Sequence, residues 1–296
     1  MLDRWKADRL FRQVLKRPDI SKAYAMKGPS DSWYGTLCKV HRSLAEIQKL
    51  PHEAVRISSR DGLALQAVHY PCREPNARNA TVIFIHGYTS HAEREWAFPG
   101  LFYHAAGYHV LIPYQRAHGP SQGRYISLGA LERQDMLDWM EKAKALHPGT
   151  RIVIHGLSMG GGIALTLANV EEPCLRCIIA DAPSLSGEAC FEYHTQTRYP
   201  GNSRVLPLVK ERFTREFGVG PEATNVRQYV SGSRHPILLA AGSMENMEAD
   251  FEELRRLNPR ETDTVILPGC NHGNGMYKQT ELFQTAISEF LARYVP

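Results

Sequence analysis

The sequence predicts an α/β fold in which helices cover both faces of an eight-stranded, mostly parallel sheet. Short runs of mostly β-branched and aliphatic residues recur along the chain, which is typical of strands buried on both faces. Helix-like stretches separate most of these runs, and this alternation favours parallel strands joined by helical crossovers. With 296 residues, of which 43% are hydrophobic, the chain is long enough to bury a large core.

The first two predicted strands differ from the other six. AVRIS (54–58) and LALQAVHY (63–70) flank the dipeptide Asp61-Gly62, which is a strong hairpin signal. We therefore predict an antiparallel hairpin at one edge of the sheet. The remaining strands are predicted at TVIFI (81–85), HVLI (109–112), RIVIH (151–155), CIIAD (177–181), PILLA (236–240) and TVILP (264–268). The helix-like stretches cover 93–106, 129–146, 158–169, 247–257 and 278–294.

Two segments lie outside this alternation. Residues 1–52, here called the N-terminal extension, are predicted to be mostly helical and basic, ahead of a main domain over 53–296. A helix packed on the main domain is favoured, and a membrane-surface helix or a dimer contact is the alternative. The apolar positions with near-helical spacing are Trp5, Leu10, Phe11, Val14 and Leu15. Residues 183–235, here called the cap segment, are predicted to form a lid over the carboxyl ends of the strands.

Charge and composition exclude several classes of protein. The net charge of +4, from 35 basic and 31 acidic residues, is too small to indicate nucleic acid as the main partner. No apolar run reaches the ~18 residues that cross a bilayer, so no integral membrane segment is predicted. The charged N-terminus lacks the apolar core of a signal peptide, which predicts a cytoplasmic location. Of the six cysteines, Cys174 and Cys177 form one C-x-x-C, which is more typical of an ordinary strand than of a metal site.

The stretch IVIHGLSMGGG (152–162) carries the strongest chemical signal in the chain. Ser158 lies between Gly156 and Gly160, where a predicted strand becomes a predicted helix. A serine at such a junction adopts a strained conformation that exposes its hydroxyl group, and only small neighbours permit the close approach of the backbone. We interpret this stretch as a nucleophile elbow and Ser158 as the nucleophile.

From about residue 53 to the C-terminus, the chain resembles the α/β-hydrolase superfamily, in particular bacterial serine hydrolases of the esterase, monoacylglycerol-lipase and acyl-peptidase-like groups. The resemblance implies an α/β-hydrolase fold, the triad order serine, acid, histidine, and no metal or organic cofactor. The base should follow the last strand, where TVILPGCNHGNG (264–275) places His272 in a loop rich in Gly and Asn. Among the thirteen histidines, His272 is therefore the predicted base.

The acid of the triad has two candidates. The family usually places Asp in a G-x-x-D turn after the seventh strand, and here the turn reads AAGSMENME (240–248). Aligning Gly242 puts Glu245 at that position, so Glu245 is the predicted acid. Asp181, at the end of the sixth strand, is the alternative acid, because some hydrolases draw theirs from there. Asp181 is otherwise interpreted as a carboxylate that anchors a loop.

Two amides are predicted to form the oxyanion hole. One belongs to Met159, directly after the nucleophile, and the other belongs to Tyr88 in FIHGYTSHAE (84–93), which resembles the family's HG-x motif. The Tyr88 ring is expected to line the acyl or leaving-group side. The stretch PYQRAHGPSQGRY (113–125) resembles the family's D-x-R-x-x-G-x-S-x-G loop, with Tyr114 in place of Asp and Arg116 as a link between loops.

Taken together, these residues predict a carboxylesterase-like serine hydrolase that cleaves a small ester through an acyl-enzyme. A peptidase or thioesterase with the same triad is the main alternative, and acyl transfer to an alcohol fits the same residues. A non-catalytic binding protein on this scaffold is the less favoured interpretation. The polar residues of FEYHTQTRYPGNSR (191–204) suggest an anionic or polar feature of the substrate. The sequence gives no indication of oligomeric state.

Overall fold

A computed structural model describes residues 1–25, 28, 32–73, 78–258 and 261–296. Its eight strands form one sheet in the order β1-β2-β4-β3-β5-β6-β7-β8. The strands are β1 (Glu53–Ser58), β2 (Ala64–Tyr70), β3 (Ala80–Ile85), β4 (His109–Pro113), β5 (Arg151–Leu157), β6 (Leu175–Asp181), β7 (Ile237–Gly242) and β8 (Thr262–Leu267). β2 pairs antiparallel with β1 and β4, and all other pairs are parallel. The predicted fold class and the hairpin at the sheet edge are confirmed.

Helices cover both faces of the sheet. In chain order, the α-helices of the described residues are α1 (Leu2–Leu15), α2 (Tyr34–Ile47), α3 (Ala92–Ala105), α4 (Glu132–Leu146), α5 (Met159–Thr166), α6 (Gly187–Arg198), α7 (Val205–Phe217), α8 (Arg227–Val230), α9 (Glu248–Leu257), α10 (Gly275–Lys278) and α11 (Thr280–Tyr294). One apolar core contains Trp139 of α4 and Ile163 of α5, and the core on the other face contains Trp96 of α3 and Phe283 of α11. Within the described residues, no helix has both the length and the apolar character needed to cross a membrane.

The N-terminal extension is divided between two parts of the molecule. α1 packs against α6 and α7 of the cap segment, and Phe11 and Phe213 share one buried cluster with Tyr125. α2 packs instead against α3, where Ile47 approaches the backbone of Gly100. Trp5 does not share the buried stripe of α1 as the spacing predicted. It is 56% exposed, and its ring lies 5.3 Å from the Arg9 guanidinium group.

The loop after β4 is held by a buried arginine. The Arg116 guanidinium donates to Asp135 of α4 at 2.7 Å and to Asp61 of the β1–β2 turn at 2.9 Å. The hydrogen bonds from Arg116 lower the pKa of Asp61 to about 2. Tyr114, which replaces the family's usual Asp, donates its hydroxyl to Glu93 of α3 at 3.0 Å. Arg116 therefore links three elements, although the family's aspartate is absent from this loop.

Candidate active site

The strand–helix junction at Ser158 has the backbone of a nucleophile elbow. Ser158 has φ 58° and ψ −118°, outside the regions that L-residues normally occupy. Its amide donates to the Asp181 carbonyl at 2.8 Å, which ties the turn to the end of β6. A Cβ atom added at Gly160 would overlap the carbonyl oxygen of Ile85, and one added at Gly156 would overlap the carbonyl of Gly160. Both glycines are therefore required by close packing of the backbone.

Replacing Gly160 with alanine is expected to lower the free energy of unfolding by about 3 kcal/mol or more, because β3 and α5 must separate to admit the methyl group. Urea denaturation followed by circular dichroism measures this change. Gly35→Ala is the matched control, since Gly35 lies exposed in α2 with no atom within 4 Å of an added Cβ. The control should remain within about 1 kcal/mol of the wild type. Equal stability of the two variants would contradict the packing described for the elbow.

The structure brings Ser158, His272 and Glu245 into one chain of hydrogen bonds. His272 Nε2 lies 2.8 Å from Ser158 Oγ, and His272 Nδ1 lies 2.6 Å from Glu245 Oε2. Because the Glu245 carboxylate can only accept a hydrogen bond, His272 Nδ1 must donate it. We therefore assign the ring proton to Nδ1 and the lone pair to Nε2. In this tautomer, Nε2 is oriented to take the proton of the Ser158 hydroxyl.

Two tight turns hold this chain of side chains in place. Glu245 Oε1 accepts the amide of Gly242 at 2.8 Å, so the second oxygen of the carboxylate is directed at His272. Gly242 also allows the two loops to approach, because an added Cβ would overlap the carbonyl of Cys270. The hydrogen bond with Glu245 raises the pKa of His272, and burial opposes that change. The pair therefore favours an imidazolium ion, which is the state that forms when the serine is deprotonated.

Asp181, the alternative acid, lies near the site without a hydrogen bond to His272. In the described structure, its carbonyl accepts the Ser158 amide, and the Nδ1 atom of His272 is bonded to Glu245. Burial, with a smaller contribution from the charge of Glu245, raises the pKa of Asp181 to about 8. In the described structure His272 Nδ1 is hydrogen-bonded to Glu245 and not to Asp181, so the geometry favours Glu245 as the acid.

The two predicted oxyanion donors flank Ser158. Met159 is the first residue of α5, and Tyr88 belongs to the loop over residues 86–90, here called the oxyanion loop. In the described part of the chain, neither amide has a hydrogen-bond partner. An added Cβ at Gly87 would lie 3.5 Å from Ser158 Cβ, so the loop passes directly beside the nucleophile. The Tyr88 hydroxyl donates to the Val14 carbonyl, so the ring extends towards α1.

A cavity of about 390 Å³ opens beside Ser158 and His272. Three aromatic residues line it: Tyr24 and Trp33 of the N-terminal extension, and Tyr88. No described residue of the cap segment lines this cavity. The polar side chains predicted from 191–204 to meet the substrate lie elsewhere; Arg198, for example, donates to Gln13 of α1. The lid role of the cap segment and the division of the chain into domains stay predictions.

Sequence reasoning missed Glu95, which is buried under the oxyanion loop and accepts the amide of Gly87 at 2.8 Å. It also missed Tyr24, whose hydroxyl lies 3.0 Å from the same carboxylate. Acidic residues are common in the first turn of a helix, because their negative charge interacts favourably with the positive end of the helix dipole. Glu95 therefore gave no distinctive signal in the sequence. Tyr24 is far from the motifs in sequence, and only the fold brings it to the site.

One group of side chains has the composition of a metal site. His69, His109 and His147 offer ring nitrogens within 4.8 Å of one another. They lie near the amino end of β4, whereas Ser158 follows the carboxyl end of the parallel strand β5. His69 Nδ1 lies 3.1 Å from Glu53 and its Nε2 lies 2.9 Å from His147 Nε2, while His109 Nδ1 accepts the amide of Cys72. In the described structure, His69 Nδ1, His69 Nε2 and His109 Nδ1 thus take part in hydrogen bonds.

Comparisons with known proteins agree with this fold. The structure of the Pyrococcus furiosus esterase Pf2001 is similar with a TM-score of 0.64 and 23% identity, over 86% of this chain and 94% of that one. The structure of Est1E from Butyrivibrio proteoclasticus with bound ferulic acid is similar with a TM-score of 0.63 and 19% identity, over 81% of this chain and 99% of that one. At these identities the likeness concerns the fold alone.

Sequence comparisons find a curated relative and a family model. The chain is 32% identical over 169 residues to the uncharacterized protein YqkD of Bacillus subtilis (strain 168). That match covers 56% of this chain and 52% of the relative, so the chain spans about half the length of the curated relative it matches. The model of the Hydrolase_4 family, described as serine aminopeptidase S33, matches residues 76–227, just over half of the chain. The chain therefore belongs to this hydrolase family and, with its fold, to the α/β-hydrolase superfamily.

Proposed function

We propose that this hydrolase cleaves a carboxylic ester through an acyl-enzyme intermediate. The observation that carries the proposal is the continuous chain of hydrogen bonds from Ser158 through His272 to Glu245. A serine hydroxyl is a weak nucleophile until a positioned base removes its proton, and this chain supplies that base. A binding protein on the same scaffold would have no need of an oriented imidazole, so the arrangement favours catalysis.

The proposed reaction has two halves. Ser158 Oγ attacks the ester carbonyl while its proton passes to His272 Nε2, and the amides of Tyr88 and Met159 bind the negative oxygen of the tetrahedral intermediate. The imidazolium then protonates the leaving alkoxide, and the acyl group remains on Ser158. In the second half, His272 removes a proton from water while the water oxygen attacks the acyl-enzyme; the Ser158 Oγ–acyl bond then breaks, the imidazolium returns the proton to Oγ, and the acid is released. Glu245 holds the imidazole and stabilises its positive charge in both halves.

The cavity supports a small substrate with an apolar or aromatic part. Its volume of about 390 Å³ lies at the lower end of the range of small-molecule sites, and Tyr24, Trp33 and Tyr88 contribute aromatic surface. Peptide and thioester cleavage use the same triad, and the description of the family as serine aminopeptidase favours peptidase activity as the second candidate. We favour the ester because of the aromatic residues that line the cavity.

A panel of 4-nitrophenyl esters with acetyl, butyryl, octanoyl and benzoyl groups, run beside aminoacyl nitroanilides and an acyl thioester, tests this proposal. We expect the highest kcat/KM for short or aromatic acyl groups and at least tenfold lower values for the anilides. Labelling by a fluorophosphonate probe should accompany ester turnover, because both reactions need the activated serine. A higher kcat/KM for the aminoacyl nitroanilides would replace the esterase proposal with the peptidase alternative.

A further inference from the structure

Glu95 lies under the oxyanion loop with both carboxylate oxygens engaged. Only 4% of the residue is exposed, in the first turn of α3. Its Oε1 accepts the Gly87 amide at 2.8 Å, and its Oε2 accepts the hydroxyl groups of Ser90 and Tyr24. Burial of a carboxyl group is unfavourable unless hydrogen bonds replace those to water. A buried glutamate that accepts three hydrogen bonds therefore indicates a specific role for this side chain. Burial raises the pKa of Glu95 to about 7 in spite of these donors.

The bonds to the oxyanion loop determine the direction of the Tyr88 amide. Glu95 fixes the peptide between His86 and Gly87 through the Gly87 N–H. The Gly87 carbonyl accepts from His86 Nδ1 at 2.9 Å and from the Ser90 amide at 3.3 Å, which fixes the next peptide. Because a trans peptide is planar, fixing its carbonyl directs the Tyr88 N–H to the opposite side. Glycine is conformationally permissive, so these external bonds replace the restraint that a side chain would give.

We propose that Glu95 is a positioning residue for the oxyanion hole, and that its bond to Tyr24 couples the N-terminal extension to the geometry of that hole. Gly87 lies between the carboxylate and the nucleophile, because an added Cβ at Gly87 would be in van der Waals contact with Glu95 Oε2 at 3.4 Å and with Ser158 Cβ at 3.5 Å. Glu95 does not touch the reacting atoms. It acts by holding Gly87, and through Gly87 the donor amide of Tyr88. This inference rests on the ester hydrolysis proposed above.

Two variants test the role of Glu95. Glu95→Ala leaves the Gly87 amide without its acceptor, and we expect kcat to fall by about 10² with KM changed less than threefold, since an oxyanion donor acts in the transition state. Affinity for phenylboronic acid, which forms a tetrahedral adduct, should fall in proportion to kcat/KM. Glu95→Gln keeps an oxygen for the Gly87 amide, so kcat should stay within about fivefold of the wild type. A Gln variant as impaired as the Ala variant would overturn the proposal.

Glu132→Ala is the matched control. Glu132 is likewise a buried carboxylate, and it accepts the amides of Ser127 and Gly129, each at 2.8 Å. That loop carries no oxyanion donor, so Glu132→Ala should lower the thermal midpoint of unfolding as Glu95→Ala does but leave kcat within threefold. If both variants lose kcat equally, the effect of Glu95 is one of general stability and the positioning role is wrong.

Tyr24→Phe tests the coupling and carries the test alone if Glu95→Ala does not fold. Removing the Tyr24 hydroxyl should lower kcat several-fold without raising KM. In the double variant with Glu95→Gln, the loss of kcat should be smaller than the product of the two single-variant losses. Tyr229→Phe is the control, because the Tyr229 hydroxyl bonds the Ala223 carbonyl in the cap segment. An unchanged kcat in Tyr24→Phe would contradict the proposed coupling between the N-terminal extension and the oxyanion hole. If Ser158→Ala retains turnover, the proposed ester hydrolysis itself has failed; if only the Glu95 effects are absent, this inference alone has failed.

Discussion

Ser158→Ala is expected to lower kcat for ester hydrolysis by about 10⁵-fold or more, because the substitution removes the hydroxyl group that is hydrogen-bonded to the His272 base. The thermal midpoint of unfolding should remain within a few degrees of the wild type. Ser158 is only half-buried, and the amide and carbonyl that hold the turn are unchanged by the substitution. Steady-state kinetics with a 4-nitrophenyl ester and a calorimetric melting curve measure the two quantities.

A matched control keeps this result specific. Ser231→Ala removes the hydroxyl of an exposed serine that does not line the cavity, and its kcat should equal that of the wild type. Fluorophosphonate labelling should disappear in Ser158→Ala and persist in Ser231→Ala. Retained labelling in Ser158→Ala would show that another nucleophile carries the reaction, and the proposed mechanism would have to be abandoned.

Glu245→Gln is expected to lower kcat by about 10³ to 10⁴-fold, the loss that accompanies a wrong histidine tautomer. Glu245 accepts the Gly242 amide with one oxygen and the His272 Nδ1–H with the other. A glutamine has one oxygen, and the bond with Gly242 requires it. The NH₂ group of the glutamine then faces His272 Nδ1, which must accept a hydrogen bond, so the ring proton moves to Nε2. His272 then has no lone pair directed at the Ser158 hydroxyl and cannot act as its base.

The pH profile gives an independent readout of the same pair. Glu245 raises the pKa of His272, and only the neutral imidazole acts as a base. The wild-type kcat/KM should therefore rise with pH through a midpoint above the ordinary histidine value, and the residual activity of Glu245→Gln should show a lower midpoint. Asp181→Asn is the control and should stay within tenfold of the wild type. A mild effect of Glu245→Gln beside a severe effect of Asp181→Asn would assign the acid to Asp181.

The parts of the fold that were predictable depend on local patterns. Apolar strands such as β3 and β7 are buried along their whole length, and a continuous apolar run predicts this directly. The junction at Ser158 was predictable because Gly156 and Gly160 are required by backbone contacts that no other residue permits. Helix ends were less accurate: the helix predicted at 158–169 begins at Met159 and ends at Thr166.

The parts of the candidate site that were not predictable depend on long-range contacts. Glu245 was placed by its distance from Gly242 within one turn, which is local information. Glu95 and Tyr24 are 71 positions apart in sequence, and neither carries a motif that indicates their contact. The same holds for the N-terminal extension, whose apolar spacing predicted a packed helix but not the surface that receives it. Pairwise contacts of this kind follow from the tertiary fold and have no local signature.

The position of α1 has a mechanical consequence. This helix is buried against α7 on one side, and on the other its Val14 carbonyl receives the Tyr88 hydroxyl. At its end, α1 is also bonded to the loop after β4, because the Leu15 carbonyl accepts the Ile126 amide at 2.7 Å and the Arg17 amide donates to the Arg124 carbonyl at 2.9 Å. A displacement of α1 would therefore disturb the cap segment, the loop after β4 and the position of Tyr88 at the same time.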